Sequence, residues 1–465
     1  MSKFMGRSID LMEELAVETD NAFDMTRRGY LYVTADEEVF AGMTSTAQGL
    51  ADAGAVPRAD VHTDGSTYAR SNVGSLTAAQ LAATTGAASS VPMEPLQGID
   101  LLSGKAAVQE VFPFVDDSVV GALHARRAGW VSAQQMGVTL MNKAKDLGVT
   151  FVTGTVQSVT ADDGKVTAVQ WTPAPPADGK PSLPMDAPGT EEIKTTHFVN
   201  SAGPMLNAIH SLLPGDDQNV EVVAELAHND LSVCGRRLPL RNHVHVKVIF
   251  RDTEGAVPRD APMMIYCDSQ DISEDFRSGE GDEVDKEWLT EAMGEATANK
   301  LLGEASAGVH LRPYGPDALL LLWEYWHGDW PVDDSSPNLT PEFDVEMFPE
   351  VCIRGLSTMV PGLGDYIGNI PRSTLVDGGY YTETPEQLPL IGPVGGTPLE
   401  GAWICGGLAG YGIMAANGAG ELIAQYIVGA EELPSYADAF LPGRYADKEF
   451  GPKMKAMMEG DGGAI

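Results

Sequence analysis

GGYYTETPEQLPLIGPVGGTPLEGAWICGGLAGYGIMAANGAGELIAQYI, residues 378–427, contains a strand, a glycine-rich turn and a helix in direct succession. The strand is Trp403–Cys405, the turn is Gly406-Gly407-Leu408-Ala409-Gly410-Tyr411-Gly412, and the helix runs over Ile413–Val428. Absent side chains let main-chain N–H groups and a helix N-terminus approach an anion or a polar ring. Gly410-x-Gly412-x-x-Ala415 even fits the loose dinucleotide fingerprint G-x-G-x-x-G/A. A true fingerprint opens a βαβ unit whose second strand ends in Asp or Glu about 20 residues on. Here the chain runs into Leu433-Pro434-Ser435-Tyr436 with no second strand, which argues against a Rossmann start. Two compatible readings remain. Ala415, Ala416, Ala419 and Gly420 allow tight helix–sheet contact, and the turn itself can touch a cofactor.

Upstream, Ser132 and Gln135 form the S-x-x-Q capping pattern at the head of VSAQQMGVTLMNKAKDLG, residues 131–148. Met136, Leu140, Ala144 and Leu147 mark one helical face, and Gly148 is a natural stop. The extended run VTFVTGTVQSVT follows at 149–160, with Gly154 in its middle and Lys165–Trp171 as its hairpin partner. Residues 172–190 are rich in Pro and Gly and predict an exposed excursion. The chain returns as EIKTTHFVNSAGP, a strand that breaks into a Gly-Pro turn. Nearer the N-terminus, Ser8 is placed to cap a helix with Ile9, Met12, Leu15 and Ala16 at helical spacing. Gly29–Thr34 reads as a strand, and residues 36–90 read as helix and loop.

From about 220 to 345 the pattern changes. Val244–Phe250, Pro262–Tyr266, Gly308–Leu311 and Leu319–Tyr325 read as strands of a mostly antiparallel sheet. The acidic stretch GEGDEVDKEW between them reads as a solvated helix start. The switch and its reversal predict a mixed α/β (α+β) protein with two interleaved domains. Residues 1–27, as a helix, fall in one domain with 100–220 and 346–440. Residues 28–99 and 221–345 form the other, and 441–465 a tail.

The 465 residues are 43% hydrophobic, ample for a large core and more than one domain. Thirty basic residues against 66 acidic ones give −36. Such a surface repels nucleic acid and anionic membranes, which excludes both as partners. No apolar run reaches the ~20 residues of a membrane span. Cys234, Cys267, Cys352 and Cys405 lie far apart, without metal-ligand spacing. They predict reduced thiols in a cytoplasmic compartment, with no metal site and no disulfide framework.

Residues 378–427 resemble the C-terminal signature of the flavin-dependent D-amino-acid, glycine and sarcosine oxidase family. There a Thr-Pro-x-x-x-Pro-x-Ile-Gly loop, here Thr384 to Gly392, precedes a strand, a small-residue turn and a helix pointing at the flavin. The likeness continues in GWVSAQQMGVTLMNKAKDLGVTFVTGTVQSV and in FVNSAGP, with order and spacing agreeing from about residue 8 to about residue 440. It implies a discontinuous FAD-binding domain of the glutathione-reductase-like type beside an antiparallel-sheet substrate domain. It also implies that Val156 touches the adenine through its backbone and that Ser201, Ala202 and Gly203 lie along the cofactor. Gly406, Gly407, Gly410, Gly412 and Ile413 would face the flavin. The family normally opens with a strand, G-x-G-x-x-G, a helix and an acid-ended strand. This chain opens at what looks like the next helix, and the eight residues before Ile9 cannot supply a βαβ unit of roughly 30 residues. On this reading the N-terminal βαβ unit is missing, and FAD is expected to bind weakly.

The chemistry implied is hydride removal, onto the flavin, from a carbon bearing an amine or hydroxyl; the protein positions the substrate and tunes the ring. Carboxylate substrates call for Arg or Lys. By the resemblance, Tyr381 stands where glycine and D-amino-acid oxidases carry that Arg, and Met414 where sarcosine oxidases carry a Lys. Gly379 replaces the flavin-attaching Cys of sarcosine oxidases, so FAD is expected to be non-covalent. Tyr381 and Tyr411 are the candidate substrate-side residues. Arg312 and Arg372 are candidate charges from another direction, although Arg312 also reads as a hairpin residue and Arg372 as a partner of Asp377. His243, His245 and Lys247 share one strand face, which is either a pocket wall or an exposed surface. Trp323, Tyr325, Trp326 and Trp330 read first as core, with an aromatic cage for an amine as the alternative. The function implied is an FAD-dependent oxidoreductase acting on a small amine or amino-acid-like molecule. The alternatives are a 2-hydroxy-acid dehydrogenase of the same superfamily and a non-catalytic assembly protein that keeps the fold.

Overall fold

Helix α1, Ser2–Glu18, buries Phe4, Met12, Leu15 and Ala16. The computed structural model describes residues 1–69, 97–174, 189–214, 238–272, 303–323, 347–394 and 399–446, together with 290, 295, 298 and 299. Ser8 does not cap α1 but lies inside it, fully buried. Its hydroxyl donates to the Met414 carbonyl at 2.5 Å and accepts from the Gly418 amide at 2.9 Å. Those two groups stand four residues apart in the last helix, so Ser8 bridges one rung of that helix's own ladder.

Strand β1, Tyr30–Thr34, leads into α2, Glu37–Asp52, which Asp36 caps by accepting from the Glu38 and Val39 amides. Then come β2 Ala59–His62, β3 Ile99–Ser103, α3 Lys105–Val111 and β4 Gly121–Ala125. Helix α4, Ala133–Asp146, begins as its sequence predicts, with the Ser132 hydroxyl accepting from the Gln135 amide. Met136 is buried and Leu140 packs beside it, but Leu147 is 85% exposed. The hairpin of β5 Gly154–Asp162 and β6 Lys165–Pro173 is joined by β7 Glu191–Lys194. Pairing starts at Gly154 rather than Val149. Residues 149–152 pair with no strand among the described residues, the Thr153 carbonyl accepts from the Ala174 amide just past β6, and Val149, Phe151 and Val152 are about half exposed. Strand β8, Phe198–Asn200, ends at a turn leading to α5, Leu206–His210.

The second half supplies β9 Arg241–Arg251, β10 Met263–Tyr266, the ribbon β11 Gln270–Asp271 with β12 Glu304–Ala305, β13 His310–Tyr314 and β14 Ala318–Leu322. Helix α6 Met347–Ser357, β15 Leu375–Glu383, β16 Leu390–Pro393, β17 Ala402–Gly406 and α7 Gly412–Val428 complete the described strands and α-helices.

The largest sheet runs β15-β9-β14-β13-β10-β1-β4-β3-β2. Its pairs are mostly antiparallel, as the alternating sequence predicts; β1–β10 and β2–β3 are parallel. Along β9, Val244, Val246, Val248 and Phe250 point into a core with Leu31, Met264, Leu311 and Leu321. Phe348, Cys352 and Leu356 of α6 close that core, and each such side chain contributes about 1.5–3 kcal/mol on burial. The sheet takes in β3, β4 and β15, and α6 packs on it. Residues 100–125 and 347–383 therefore belong with the large sheet, beyond the boundaries drawn from composition. Those boundaries followed local pattern, whereas strand pairing is non-local.

A second sheet, β16-β17-β8, packs under α7, where Phe4 of α1 meets Ile391, Ala415, Ala419 and Leu422. Of the residues expected as tail, two are packed: Tyr445 is buried, and Arg444 pairs with Glu386 at 2.6 Å with both side chains almost fully enclosed. Trp323 is core, its indole N–H donating to the Ser306 carbonyl. Tyr325, Trp326, Trp330, Cys234, the acidic stretch 279–288 and most of the 172–190 excursion lie outside the described residues. Cys267, Cys352 and Cys405 are free thiols. No helix among the described residues is long and apolar enough to cross a membrane.

Candidate active site

Strands β8 and β17 run parallel and end at the same edge. Ligands of such sheets bind outside the carboxyl ends of the strands. Strand β8 leads there into Ser201-Ala202-Gly203-Pro204, and β17 into Gly407–Gly412. Asn200 ties the first turn, its amide donating to the Leu206 carbonyl at 2.9 Å and its oxygen accepting from the Ala202 amide at 3.3 Å. The two turns meet where Gly406 faces Leu206: a Cβ on Gly406 would stand 2.5 Å from that side chain. Gly407 has φ +65°, which L side chains adopt only with strain. Helix α7 then starts at Gly412 without a side-chain cap, directly after a 3-10 turn over Ala409–Tyr411. Ser201, Gly410 and Ile413 are exposed at this edge.

The end of β15 delivers Tyr381 to the same place. A Cβ on Gly410 would lie 2.7 Å from the Tyr381 ring. Tyr381 stacks on His245, with ring centroids 3.6 Å apart and an interplanar angle of 20°. Burial pushes the His245 imidazole down to about 4, against the opposing pull of Glu383, so it is neutral above that pH. His243 pairs with Glu383 at 2.8 Å, and Lys247 with Asp377 at 2.7 Å. The stacked Tyr381 and His245 rings wall this edge; on the same strand face, His243 and Lys247 are engaged in their ion pairs.

Two residues that no motif marks hold this wall to the turns. The Thr382 hydroxyl donates to Asn242 at 2.7 Å, and the Asn242 amide donates to the Pro204 carbonyl at 3.2 Å. Arg241 was also not singled out by its sequence context. It pairs in register with Glu383 and shares the face of His243. That sets it diagonal to Tyr381, where such neighbours lie about 7–8 Å apart.

Tyr411 is present but anchored. Its hydroxyl donates to the Gln387 carbonyl in the 384–390 loop, and burial, then Glu386 and Glu383, push its pKa up. Arg312 and Arg372 are not brought to Tyr381. Arg312 lies on β13, three strands from β15, in line with Leu375. Tyr381 is therefore roughly 20 Å further along the strands. Arg312 instead lies over the Trp130 and Tyr314 rings, at 5.2 and 5.4 Å. Arg372 is exposed before the far end of β15, and Asp377 pairs with Lys247 rather than with it. Val156 sits opposite Trp171 in the separate β5-β6-β7 sheet, beside a register shift.

Small-residue turns at the ends of parallel strands, facing the polar side of a large sheet, define a cofactor-dependent enzyme of two-part architecture. Residues 1–339 match the family model described as FAD dependent oxidoreductase. The chain therefore belongs to the FAD dependent oxidoreductase family; it is an oxidoreductase, and FAD is its cofactor. Among solved structures, the fold is similar to L-proline dehydrogenase from P. horikoshii, at 18% identity and TM-score 0.55, covering 95% of this chain and 82% of that one. It is also similar to glycine oxidase from Geobacillus kaustophilus, at 13% identity and TM-score 0.53, covering 94% and 80%. Iminodiacetate oxidase from Chelativorans sp. BNC1 matches at 14% identity and TM-score 0.53, covering 93% and 80%. No curated protein sequence matches. The residues present fit the ring end of the cofactor. The start of α7, which no side chain caps, can face a polar ring edge, and the Gly410–Gly412 segment interposes no side chain except that of Tyr411, which is tied back to Gln387.

Proposed function

We propose that the enzyme oxidises a small amine or amino acid at the carbon that bears nitrogen, between the Gly406–Ile413 turn and the Tyr381–His245 wall. The observation that carries this is the stacked Tyr381–His245 pair seated directly against Gly410. Bound FAD supplies the hydride acceptor. The chain's own residues bind and orient. Tyr381 offers one hydroxyl hydrogen bond and no charge near neutral pH. His245, neutral in the working range, offers an acceptor or a donor without charge. Glu383, held by His243, is a counter-charge for a substrate ammonium. The register of Arg241 supports it as the group that receives a substrate carboxylate, in place of the Arg or Lys expected at positions 381 and 414. Arg312 and Arg372 then have no part in binding.

The test is a screen of glycine, sarcosine, L-proline, D-alanine, simple amines and 2-hydroxy acids with the FAD-loaded protein, reading flavin reduction without oxygen. Amino acids or amines are expected to reduce the flavin. Arg241→Met should raise the KM for carboxylate-bearing substrates about tenfold or more, with a smaller effect on kcat. Arg312→Met and Arg372→Met should leave KM unchanged. Preferential reduction by 2-hydroxy acids would overturn the reading, and an unchanged KM in Arg241→Met would remove Arg241 from it.

A further inference from the structure

The large sheet carries a second pocket on the face turned away from Tyr381. Leu31, His124 and Asp100 stand opposite one another on β1, β4 and β3, on the face that buries Met264 and Leu311. Tyr30, Tyr32, Arg312, His245 and Tyr381 share the other face. On the buried side lies a cavity of about 90 Å³ lined by Arg28, Tyr68, Phe112, Phe114, His124 and Asp260. An enclosed water needs about 10–15 Å³ of such space, so there is room for roughly half a dozen waters or a ligand of similar size.

The chemistry of the walls is uneven. His124 is fully engaged: Tyr68 Oη lies 2.7 Å from Nδ1, and the Arg28 carbonyl lies 2.9 Å from Nε2. The carbonyl can only accept, so Nε2 carries the proton and Nδ1 accepts from Tyr68. Burial, then the charge of Arg126, push this imidazole down to about 3, so this wall is polar but uncharged. Arg28 differs. Its Nη1 donates to the Arg259 carbonyl, but its buried Nε has no hydrogen-bond partner among the described residues. Its guanidinium lies over Trp130 at 5.6 Å. Asp260 is exposed at the mouth. Arg28 feels its charge, yet no ion pair among the described residues joins the two.

We infer that this cavity binds a small zwitterionic amino acid, its carboxylate accepting from Arg28 and its ammonium facing Asp260, with Phe112 and Phe114 against its carbon atoms. A plain anion meets Asp260 as a like charge, and a plain amine meets Arg28. The zwitterion satisfies both charges at once, which neither half does alone. The site goes beyond the oxidation proposed above, because it lies on the opposite face of the sheet and its ligand is not turned over there. Trp130 links the two faces, since Arg28 and Arg312 both lie over its ring.

Glycine is the probe, with acetate and methylammonium as its two halves. Binding is read by calorimetry on the full chain and by tryptophan fluorescence, with Trp130→Phe identifying the reporter. The background is the Tyr381→Phe, Arg241→Met double variant, which weakens the reaction site and leaves this cavity intact. Glycine is expected to bind at one site per chain, and each half-molecule at least about tenfold more weakly. Arg28→Met and Asp260→Asn are each expected to weaken glycine binding about tenfold or more. Asp260 is exposed, so its variant remains informative if Arg28→Met fails to fold. No glycine binding in that background, binding indifferent to both substitutions, or acetate binding as tight as glycine would each overturn the assignment. None of these outcomes depends on whether glycine is oxidised, so failure here is separable from failure of the proposed reaction.

Discussion

Gly418 and Ser8 set how closely the first and last long helices approach. A Cβ on Gly418 would stand 2.9 Å from the Ser8 Cβ and 3.1 Å from the Phe4 ring. Alanine is the better helix former by about 1 kcal/mol, but overpacking a tight contact costs about 1–3 kcal/mol. Gly418→Ala is therefore expected to destabilise in urea unfolding; a gain in stability would show that the helices can part. Two buried groups make stability depend on pH. His124 has its folded pKa lowered from 6.5 to about 3, so the unfolded chain takes up a proton first as pH falls. Asp100 has burial working against ionisation, but hydrogen bonds from Arg58 and His62 and the charge of Arg126 win, and its pKa lies below 3.8. Its contribution is present above 3.8 and lost as pH drops through the folded value. Both groups act in one direction. Unfolding free energy is expected to decline from about pH 6.5 downward and to steepen below about pH 4. Urea midpoints that stay level from neutral to mildly acidic pH would contradict the neutral, buried state of His124.

Helix α4 and the residues after it show where local pattern succeeds and where it stops. The capping pattern at Ser132 places the helix start correctly, because the cap is a contact across three residues. The strand start at Val149 is misplaced, because a strand exists only where a partner lies alongside, and the ladder begins at Gly154. Phe151 is therefore half exposed, and Met136, one element earlier, is buried. Phe151→Ser is expected to change stability by no more than about 0.5 kcal/mol, while Met136→Ala costs about 2–5 kcal/mol. Equal costs in denaturant titrations would show that residues 149–153 are covered in solution. The same logic applies to the 384–390 loop. Its resemblance to a known signature is visible in one short stretch, yet it is held by Arg444, which pairs with Glu386 from 58 residues away.

Across the whole molecule, the net charge of −36 spreads self-repulsion over the surface. Salt screens such repulsion within about 10 Å at 0.1 M and more tightly above that. The thermal midpoint is expected to rise as sodium chloride increases from about 0.05 M to about 1 M. A flat or falling response would mean that exposed pairs such as Arg58–Asp60 and Lys165–Glu400 matter more than the surplus of acid. The large sheet also decides which residues can cooperate. It carries Tyr381 and His245 at one edge, Arg312 three strands away on the same face, and the Arg28 cavity behind. Those separations of strand spacing keep Arg312 out of the site.

The amino-acid sequence alone determined the start of the Ser132-capped helix, the antiparallel character of the middle third, the small-residue turns at 201–204 and 406–412, and the sharing of one face by His243, His245 and Lys247. Each of these rests on contacts within a few residues or on strict strand alternation, which linear order displays. Only the tertiary structure decided that Ser8 enters the ladder of α7, that Tyr411 is anchored to Gln387, that Asp377 takes Lys247 rather than Arg372, and that Arg241 stands diagonal to Tyr381. Those outcomes depend on strand register and helix crossing. They bring together residues tens to hundreds of positions apart, and no local pattern records them.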